Sequence, residues 1–171
     1  MDLDSGLAYW LRWPSVEAFL GANSWAWPLM EVLHVVGLIL LVGIVGIFDL
    51  RLIGVAKRLP VKPLRDLLPW AVFGLILCVG SGLVFVAGLM QNVSMHPYVA
   101  LRVDLYLQIK LLFIALAGIN LLVFHQSGVS RACDAVGPGD DAPPMAKAIA
   151  GISLFLWVGV VYWGRLVPWG I

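Results

Sequence analysis

The chain has 171 residues, of which 61% are apolar and only 12% are charged, and its formal net charge is +1. An ordinary soluble domain is about a quarter charged, so this composition argues against a soluble fold. The small net charge and the lack of a basic stripe with interleaved aromatic residues exclude nucleic acid as the main partner. The length fits one domain. The acidic start, MDLDSGLAYW, predicts that the first apolar run is retained and is not a secretory signal.

The N-terminal segment, residues 7–26, is too polar to cross a bilayer but is rich in aromatic residues. Tryptophan favours the membrane–water interface, where its ring lies at the acyl boundary and its N–H faces water. We therefore predict a short interfacial helix that lies on the membrane surface. The tryptophan and phenylalanine residues of this segment are Trp10, Trp13, Phe19 and Trp25.

Four apolar stretches follow, and each is long enough to cross a bilayer, which takes about 20 helical residues. They are too long for strands and do not alternate with period two, whereas helices satisfy their own backbone hydrogen bonds in lipid. The sequence therefore predicts an all-α membrane protein, with four transmembrane helices in a bundle that forms a single domain over residues 1–171. The predicted spans are residues 27–50, 67–90, 105–125 and 145–169.

Positive charge is concentrated in two of the connections between these spans. Because basic loops stay in the cytoplasm, the first and third links are predicted to be cytoplasmic. Both termini are then periplasmic, and the location is the inner membrane of a bacterium. Pro60 and Pro63 predict that the first link is not helical, and the stretch VGPGDDAPP predicts a flexible, expendable second basic link. The basic residues of the two links are Arg51, Lys57, Arg58, Lys62, Arg65, Arg131 and Lys147, and those of the opposite side are Arg12, Arg102 and Arg165.

Polar and ionisable side chains inside the spans are energetically expensive there, which makes them candidates for function. Sorted by depth, they form two clusters. The outer cluster, on the side of the termini, contains Glu31, His34, Lys110 and Arg165. The inner cluster, next to the basic links, contains Asp49, Arg51, Asn120 and His125. Glu31 and the four residues of the inner cluster are candidates for structural polar ties between helices.

The histidines indicate a candidate cofactor site in the outer cluster. By helix rise, His34 and His125 differ in depth by roughly 18 Å, so they cannot share one iron. His34 would instead pair with His96 of an outer loop, or with a methionine, while Lys110 and Arg165 would hold the propionates of haem b. Imidazole and thioether ligands also suit Cu(I), so copper is an alternative. The methionines near this depth are Met30, Met90 and Met95.

The same residues also fit plainer interpretations. The position of His34 is also compatible with a buried histidine that only forms a hydrogen bond to another helix, or with a histidine that relays protons. Lys110 and Arg165 fit basic side chains that extend to the lipid headgroups, although Lys110 is deep enough to favour a partner such as Glu31. The many glycines favour close packing of the helices, and Gly37 would alternatively make room for a flat cofactor.

The order of the motifs resembles that of a known family. EVLHVVGLILLVG is followed by DLRLIG, PWAVFGLILCVGSGLVF, KLLFIALAGINLLVFH and SLFLWVGVVYWGR. This pattern, over roughly residues 27–166, resembles a family of small bacterial four-span integral membrane proteins of unknown function. The resemblance implies the fold and the location but no mechanism. More distantly, the chain is similar to copper-resistance D type membrane proteins, whose early histidine lies in a similar apolar and glycine-containing setting. The family motif residues match Glu31, His34, Asp49, Arg51, Lys110, Asn120, His125 and Arg165.

These features are compatible with three functions. The first is a small b-type haem or quinone-linked electron-transfer subunit. The second is a non-catalytic accessory or assembly subunit of a larger membrane complex, and the third is a copper-handling or transport protein. In each case the partners are the lipid bilayer and either further copies of the chain or other subunits of a membrane complex. No hydrolytic triad, nucleotide-binding loop or pair of catalytic carboxylates points to a conventional enzyme.

Overall fold

The computed structural model describes residues 10–89, 91 and 94–170, and no strand occurs within these ranges. Four stretches of helix in this part of the chain are long and apolar enough to cross a membrane. They cover Ala26–Ile53, Val61–Ala87, Leu105–Gln126 and Pro144–Trp169. The helices are α1 (Pro14–Ala22), α2 (Ala26–Ile53), α3 (Val61–Asp66), α4 (Leu68–Ala87), α5 (Pro97–Val103), α6 (Leu105–Gln126), α7 (Val129–Ala132) and α8 (Pro144–Leu166), with 3₁₀ turns at Cys133–Ala135 and Val167–Trp169.

The predicted bundle of four transmembrane helices with a short N-terminal helix is confirmed. The first span extends beyond its predicted end at residue 50 to Ile53, where Gly54 ends the helix in a left-handed conformation with φ of 106°. Large apolar side chains cover the outside of the bundle. Ile39 and Phe155, for example, are 65% and 67% exposed. Lipid is the environment in which such a surface is stable, so the bundle contacts the bilayer.

The N-terminal helix α1 begins at Pro14, which suits the first turn of a helix because its missing N–H needs no partner there. Arg12 and Glu17 form an ion pair of 3.1 Å across its start, and α1 contacts α2 and α4. Trp10 and Trp25 are 75% and 56% exposed beside it. The position of this segment at the membrane surface stays a prediction, and residues 7–9 lie outside the described residues.

The four spans run alternately up and down. We call the end that carries residues 51–66 and 127–143 the link face, and the opposite end, with α1 and α5, the terminal face. α2 packs along both α4 and α8, and α6 packs along α8. Within the described residues, α4 and α6 hardly touch each other. The bundle is therefore open along one side, between α4 and α6.

Two glycines face each other where α2 and α4 cross. A Cβ atom added at Gly37 would lie 2.7 Å from the carbonyl oxygen of Gly74, and a Cβ atom at Gly74 would lie 2.7 Å from that of Gly37. The backbone of α4 thus fills the space beside Gly37. Close packing is the role of this glycine, and the alternative that it makes room for a flat cofactor is wrong.

The first link is helical, contrary to the prediction from its prolines. α3 covers Val61–Asp66, and Pro60 is the residue that precedes it. Pro63 is the third residue of α3, and N–H groups in the first turn of a helix have no intrahelical acceptor. A proline at this position therefore removes no hydrogen bond, and the helix forms.

The second link is tied to the first, which corrects the prediction of a flexible and expendable loop. Gly139 N donates to Lys57 O at 2.8 Å. Lys57 and Lys147 place their ammonium groups 2.9 and 2.6 Å from the carboxylate of Asp141. Both links therefore form one connected layer over the apolar core of the link face. That core contains Phe48, Leu52, Val61, Phe124, Val129, Cys133 and Ile149.

The ion pairs of Asp141, which join the two links, can be tested by measuring stability as a function of pH. Hydrogen bonds from Lys147 and Lys57 lower the pKa of its carboxyl group to about 2, whereas an unfolded aspartate has a pKa of roughly 3.9. A lowered folded-state pKa stabilises the protein fully above about pH 5, and this contribution is lost as the pH falls through 2. We expect wild type to melt slightly above Asp141→Asn at pH 6, and the difference to shrink between pH 5 and pH 2. The effect is small because the carboxylate is exposed.

The matched control is Asp66→Asn, which alters an exposed aspartate that makes no ion pair within the described residues. The measurement is the melting temperature in detergent micelles across this pH range. A difference between wild type and Asp141→Asn that does not change with pH would contradict the assignment.

Candidate functional site

The outer cluster does not form one connected site. Glu31 is exposed, and its Oε1 accepts a hydrogen bond of 3.1 Å from Trp27 Nε1. His34 lies between α2 and α4, where its Nδ1 is 2.9 Å from Ser81 Oγ. This contact matches the plainer interpretation of a histidine that is hydrogen-bonded to another helix. Nothing in the sequence indicated that Ser81 is the partner of His34, since a single serine in an apolar span also fits close helix packing.

Lys110 lies on the α6 side of this histidine, close enough to Cys78 and His34 for electrostatic interaction. Its aliphatic stem packs over Gly164, where an added Cβ would lie 3.3 Å from Lys110 Cε. No hydrogen bond or ion pair joins Lys110 to Glu31 in the described part of the chain. The expectation of a Glu31–Lys110 pair was therefore wrong, because the Glu31 carboxylate is held on its own helix by the indole.

The other two candidates for the cofactor site lie at the terminal face. His96 caps α5, and its Nδ1 accepts a hydrogen bond of 3.2 Å from Tyr98 N. Arg165 is exposed in the last turn of α8. Among residues 10–89, 91 and 94–170, no group of three or more His, Cys, Asp or Glu side chains is placed to hold a metal ion. Met90 lies outside the described residues, and ligation by His34 and His96 stays a prediction.

Three of the four residues of the inner cluster line a single cavity. It has a volume of about 470 Å³, and all four spans contribute to its wall. Most of the wall is apolar. The polar side chains of its lining, apart from Trp157, are Asp49 from α2, Asn120 and His125 from α6, and Ser153 from α8. The structure thus brings Asp49, Asn120 and His125 together, as expected from their similar depth in the membrane.

Asp49 is the most deeply buried polar group of this cavity, with an exposed fraction of 5%. Ser153 of α8 lies beside its carboxyl group in the wall of the cavity. The second oxygen, Oδ2, has no hydrogen-bond partner among the described residues. A buried polar atom without a partner costs about 1–3 kcal/mol, so Asp49 is an energetically expensive residue at this position.

Asn120 and His125 each donate one side-chain hydrogen bond within the protein. Asn120 Nδ2 donates to Ile149 O on α8 at 3.1 Å, which ties α6 to α8. His125 Nδ1 lies 3.0 Å from Leu121 O on its own helix. Because a carbonyl oxygen only accepts, the proton of the ring lies on Nδ1, and Nε2 of the neutral ring is an acceptor.

Arg51, the fourth residue of the predicted inner cluster, does not line the cavity. Its guanidinium lies in the layer that the two links form. The side chain is completely buried, with an exposed fraction of 0%. Its Nε donates to Leu59 O at 2.5 Å, and its Nη2 and Nη1 donate to Gly137 O and Asp140 O at 2.7 and 3.3 Å. Arg51 therefore joins the two links and does not pair with Asp49.

The cavity opens to the side of the bundle. Among the residues of its wall, the exposed ones lie only on α4 and α6: Val72, Gly118, Leu121 and His125. These are the two helices that hardly touch each other. The mouth of the cavity therefore faces the surface that lipid covers, between α4 and α6. We call this mouth the lateral opening.

Ser153 completes the site, and the sequence analysis did not single it out. It is the single serine of the fourth span, which is a signal of the kind that marked Asp49 and Asn120. Its importance depends on its position opposite Asp49 on the neighbouring helix, where both residues line the cavity. Hydropathy and helix length carry no information about which faces of two spans meet.

Comparisons with protein-family models, with curated protein sequences and with solved structures found no match to this chain. The resemblance to the small bacterial four-span family and to the copper-resistance D type stays a prediction.

Proposed function

We propose that this protein binds a lipid-soluble quinone in the cavity between its four spans, and that it is a quinone-linked subunit of an electron-transfer system in the bacterial inner membrane. One observation carries the proposal. A largely apolar cavity, whose wall includes the buried acidic residue Asp49, opens sideways onto the lipid-covered surface.

The dimensions and chemistry of the cavity support a quinone. Small-molecule sites measure roughly 300–1,000 Å³ and are apolar with a few placed polar groups, and this cavity of about 470 Å³ fits that description. A quinone has a flat polar ring and an apolar tail. The ring would lie beside Asp49 and Asn120, while the tail would leave through the lateral opening into the bilayer.

The other hypotheses receive less support from the cavity. Haem b and copper were predicted at His34 and His96, and neither residue lines the cavity. Both cofactors stay predictions for the outer cluster. The accessory-subunit hypothesis treats Asp49 as a structural tie. That role accounts for the position of Asp49 beside Ser153 but not for the cavity of about 470 Å³ that both residues line.

Photoaffinity labelling with a short-tailed azidoquinone tests the proposal. We expect saturable labelling of peptides that line the cavity, and competition by excess decylubiquinone. Leu121→Trp places an indole in the lateral opening and should reduce the labelling at least tenfold. Leu122→Trp is the matched control, because both leucines are 56% exposed and Leu122 does not line the cavity. Labelling that spreads evenly over the lipid-facing surface, or that both variants leave unchanged, would refute quinone binding in the cavity.

A further inference from the structure

The turn that follows α2 forms a second cavity, at the link face, which we call the turn cavity. It has a volume of about 320 Å³ and is lined by residues 54–59. Its wall combines two kinds of side chain. Lys57 and Arg58 are basic, whereas Val55 and Leu59 are apolar and are 73% and 41% exposed. None of these residues lines the cavity between the four spans.

The length of α2 places this turn among the lipid headgroups. α2 has 28 residues, which at 1.5 Å per residue makes it about 42 Å long. A bilayer measures about 40–45 Å when its headgroup regions are included. Because the turn cavity begins directly after the last residue of this helix, we expect it to lie at the level of the headgroups on the link face.

Contacts from both links hold the turn in place. Leu59 O accepts a hydrogen bond of 2.5 Å from Arg51 Nε, and Lys57 O accepts one of 2.8 Å from Gly139 N. Leu59 N donates to Ala56 O at 3.0 Å across the turn itself. A ligand would therefore enter a cavity whose backbone is already ordered, which reduces the entropy cost of binding.

Arg58 supplies the charge that is available to a ligand. The ammonium group of Lys57 lies 2.9 Å from the carboxylate of Asp141, whereas Arg58 is exposed and has no hydrogen bond or ion pair of its side chain in the described part of the chain. A guanidinium binds the oxygens of a phosphate in a bidentate manner. Residues 51–66 and 127–143 together contain six basic and four acidic side chains, so the surrounding link face also favours an anion.

We propose that the turn cavity binds the headgroup of an anionic phospholipid. The phosphate would pair with Arg58, and the glycerol backbone and the first carbons of the acyl chains would lie against Val55 and Leu59. These two apolar side chains favour a lipid over a soluble anion, because a soluble anion would leave them exposed to water. The proposal is independent of quinone binding in the cavity between the spans.

Native mass spectrometry of the full-length protein in detergent micelles tests the proposal. Dioleoylphosphatidylglycerol, which is anionic, and dioleoylphosphatidylcholine, which is zwitterionic, are titrated separately, and the dissociation constant of the first bound lipid is measured. We expect wild type to bind the anionic lipid at least fivefold more tightly. Arg58→Gln should weaken the binding of the anionic lipid about fivefold, which is the effect of one basic residue at an anionic lipid surface.

Lys62→Gln is the matched control, because Lys62 is an exposed basic residue of the same link that does not line the turn cavity. It should change the affinity by less than twofold. Val55→Ser keeps the charge and should weaken the binding of both lipids without changing their ratio. Equal affinities of wild type for the two lipids, or equal losses in the two glutamine variants, would overturn the proposal. Displacement of the anionic lipid by millimolar inorganic phosphate would also overturn it, because the cavity would then bind a soluble anion.

Discussion

Arg51→Leu is expected to lower the free energy of unfolding by about 3 kcal/mol, because it leaves three backbone carbonyls without their donor in a buried layer. A hydrogen bond to a charged group contributes about 1.5–3 kcal/mol. Relief from burying the guanidinium offsets part of the sum. The three carbonyls belong to Leu59, Gly137 and Asp140, so the variant detaches the first link from the second.

Two measurements and two controls separate this role from a general charge effect. Unfolding in detergent micelles gives the stability, and limited proteolysis of residues 136–143 reports release of the second link. Arg51→Lys should recover less than half of the loss, because an ammonium does not reproduce the planar fork of a guanidinium. Arg58→Leu removes an exposed basic residue of the same link and should change stability by about 0.5 kcal/mol or less. Wild-type stability and protease resistance in Arg51→Leu would show that the layer does not depend on this residue.

Gly74→Ala is expected to destabilise the bundle by about 2–3 kcal/mol through the crossing of α2 and α4. The new methyl group would lie 2.7 Å from Gly37 O and 2.8 Å from Leu41 N. Both contacts are with backbone atoms, which cannot rotate away as a side chain would. The helices must therefore separate, and the packing between α2 and α4 is lost along the crossing.

The control for this variant is Gly80→Ala on the same helix. No heavy atom lies within 4 Å of a Cβ at Gly80, so the added methyl group meets no neighbour within the described residues. In a helix interior, alanine is favoured over glycine by roughly 0.5–1 kcal/mol, so this variant should be neutral or slightly stabilised. Thermal unfolding in micelles, followed by helical circular dichroism, measures both. Equal melting temperatures for the two variants would contradict a close contact at Gly74.

Much of the fold could be predicted from local features of the sequence. Hydropathy and length located the four spans to within a few residues, because an apolar helix in lipid needs no information beyond its own composition. Two local predictions failed. Pro63 was expected to break the first link, but it lies in a helical first turn, and the glycine- and proline-rich second link was expected to be flexible. Its backbone is instead held by Arg51 and Lys57, whose partners are more than 75 residues away in the chain.

The candidate site was predictable only in part. Depth along a span follows from helix rise, so Asp49, Asn120 and His125 could be placed at one level of the membrane. The same argument also placed Arg51 at this level. That prediction was wrong, because the long Arg51 side chain extends to the backbone carbonyls of the two links. Glu31 and Lys110 were also placed at similar depth, but the indole of Trp27 holds Glu31 on α2.

By itself, the sequence determined the class of the protein, the number and length of its spans and the depth of each polar group. These properties depend on the energy of single segments in lipid. Only the tertiary structure decided that α4 and α6 stay apart, that Ser153 lies beside Asp49 and that Asp49, Asn120 and His125 line one largely apolar cavity. These features depend on the rotation of each helix about its axis. That rotation is set by contacts such as Gly37 on Gly74, which involve residues far apart in the chain.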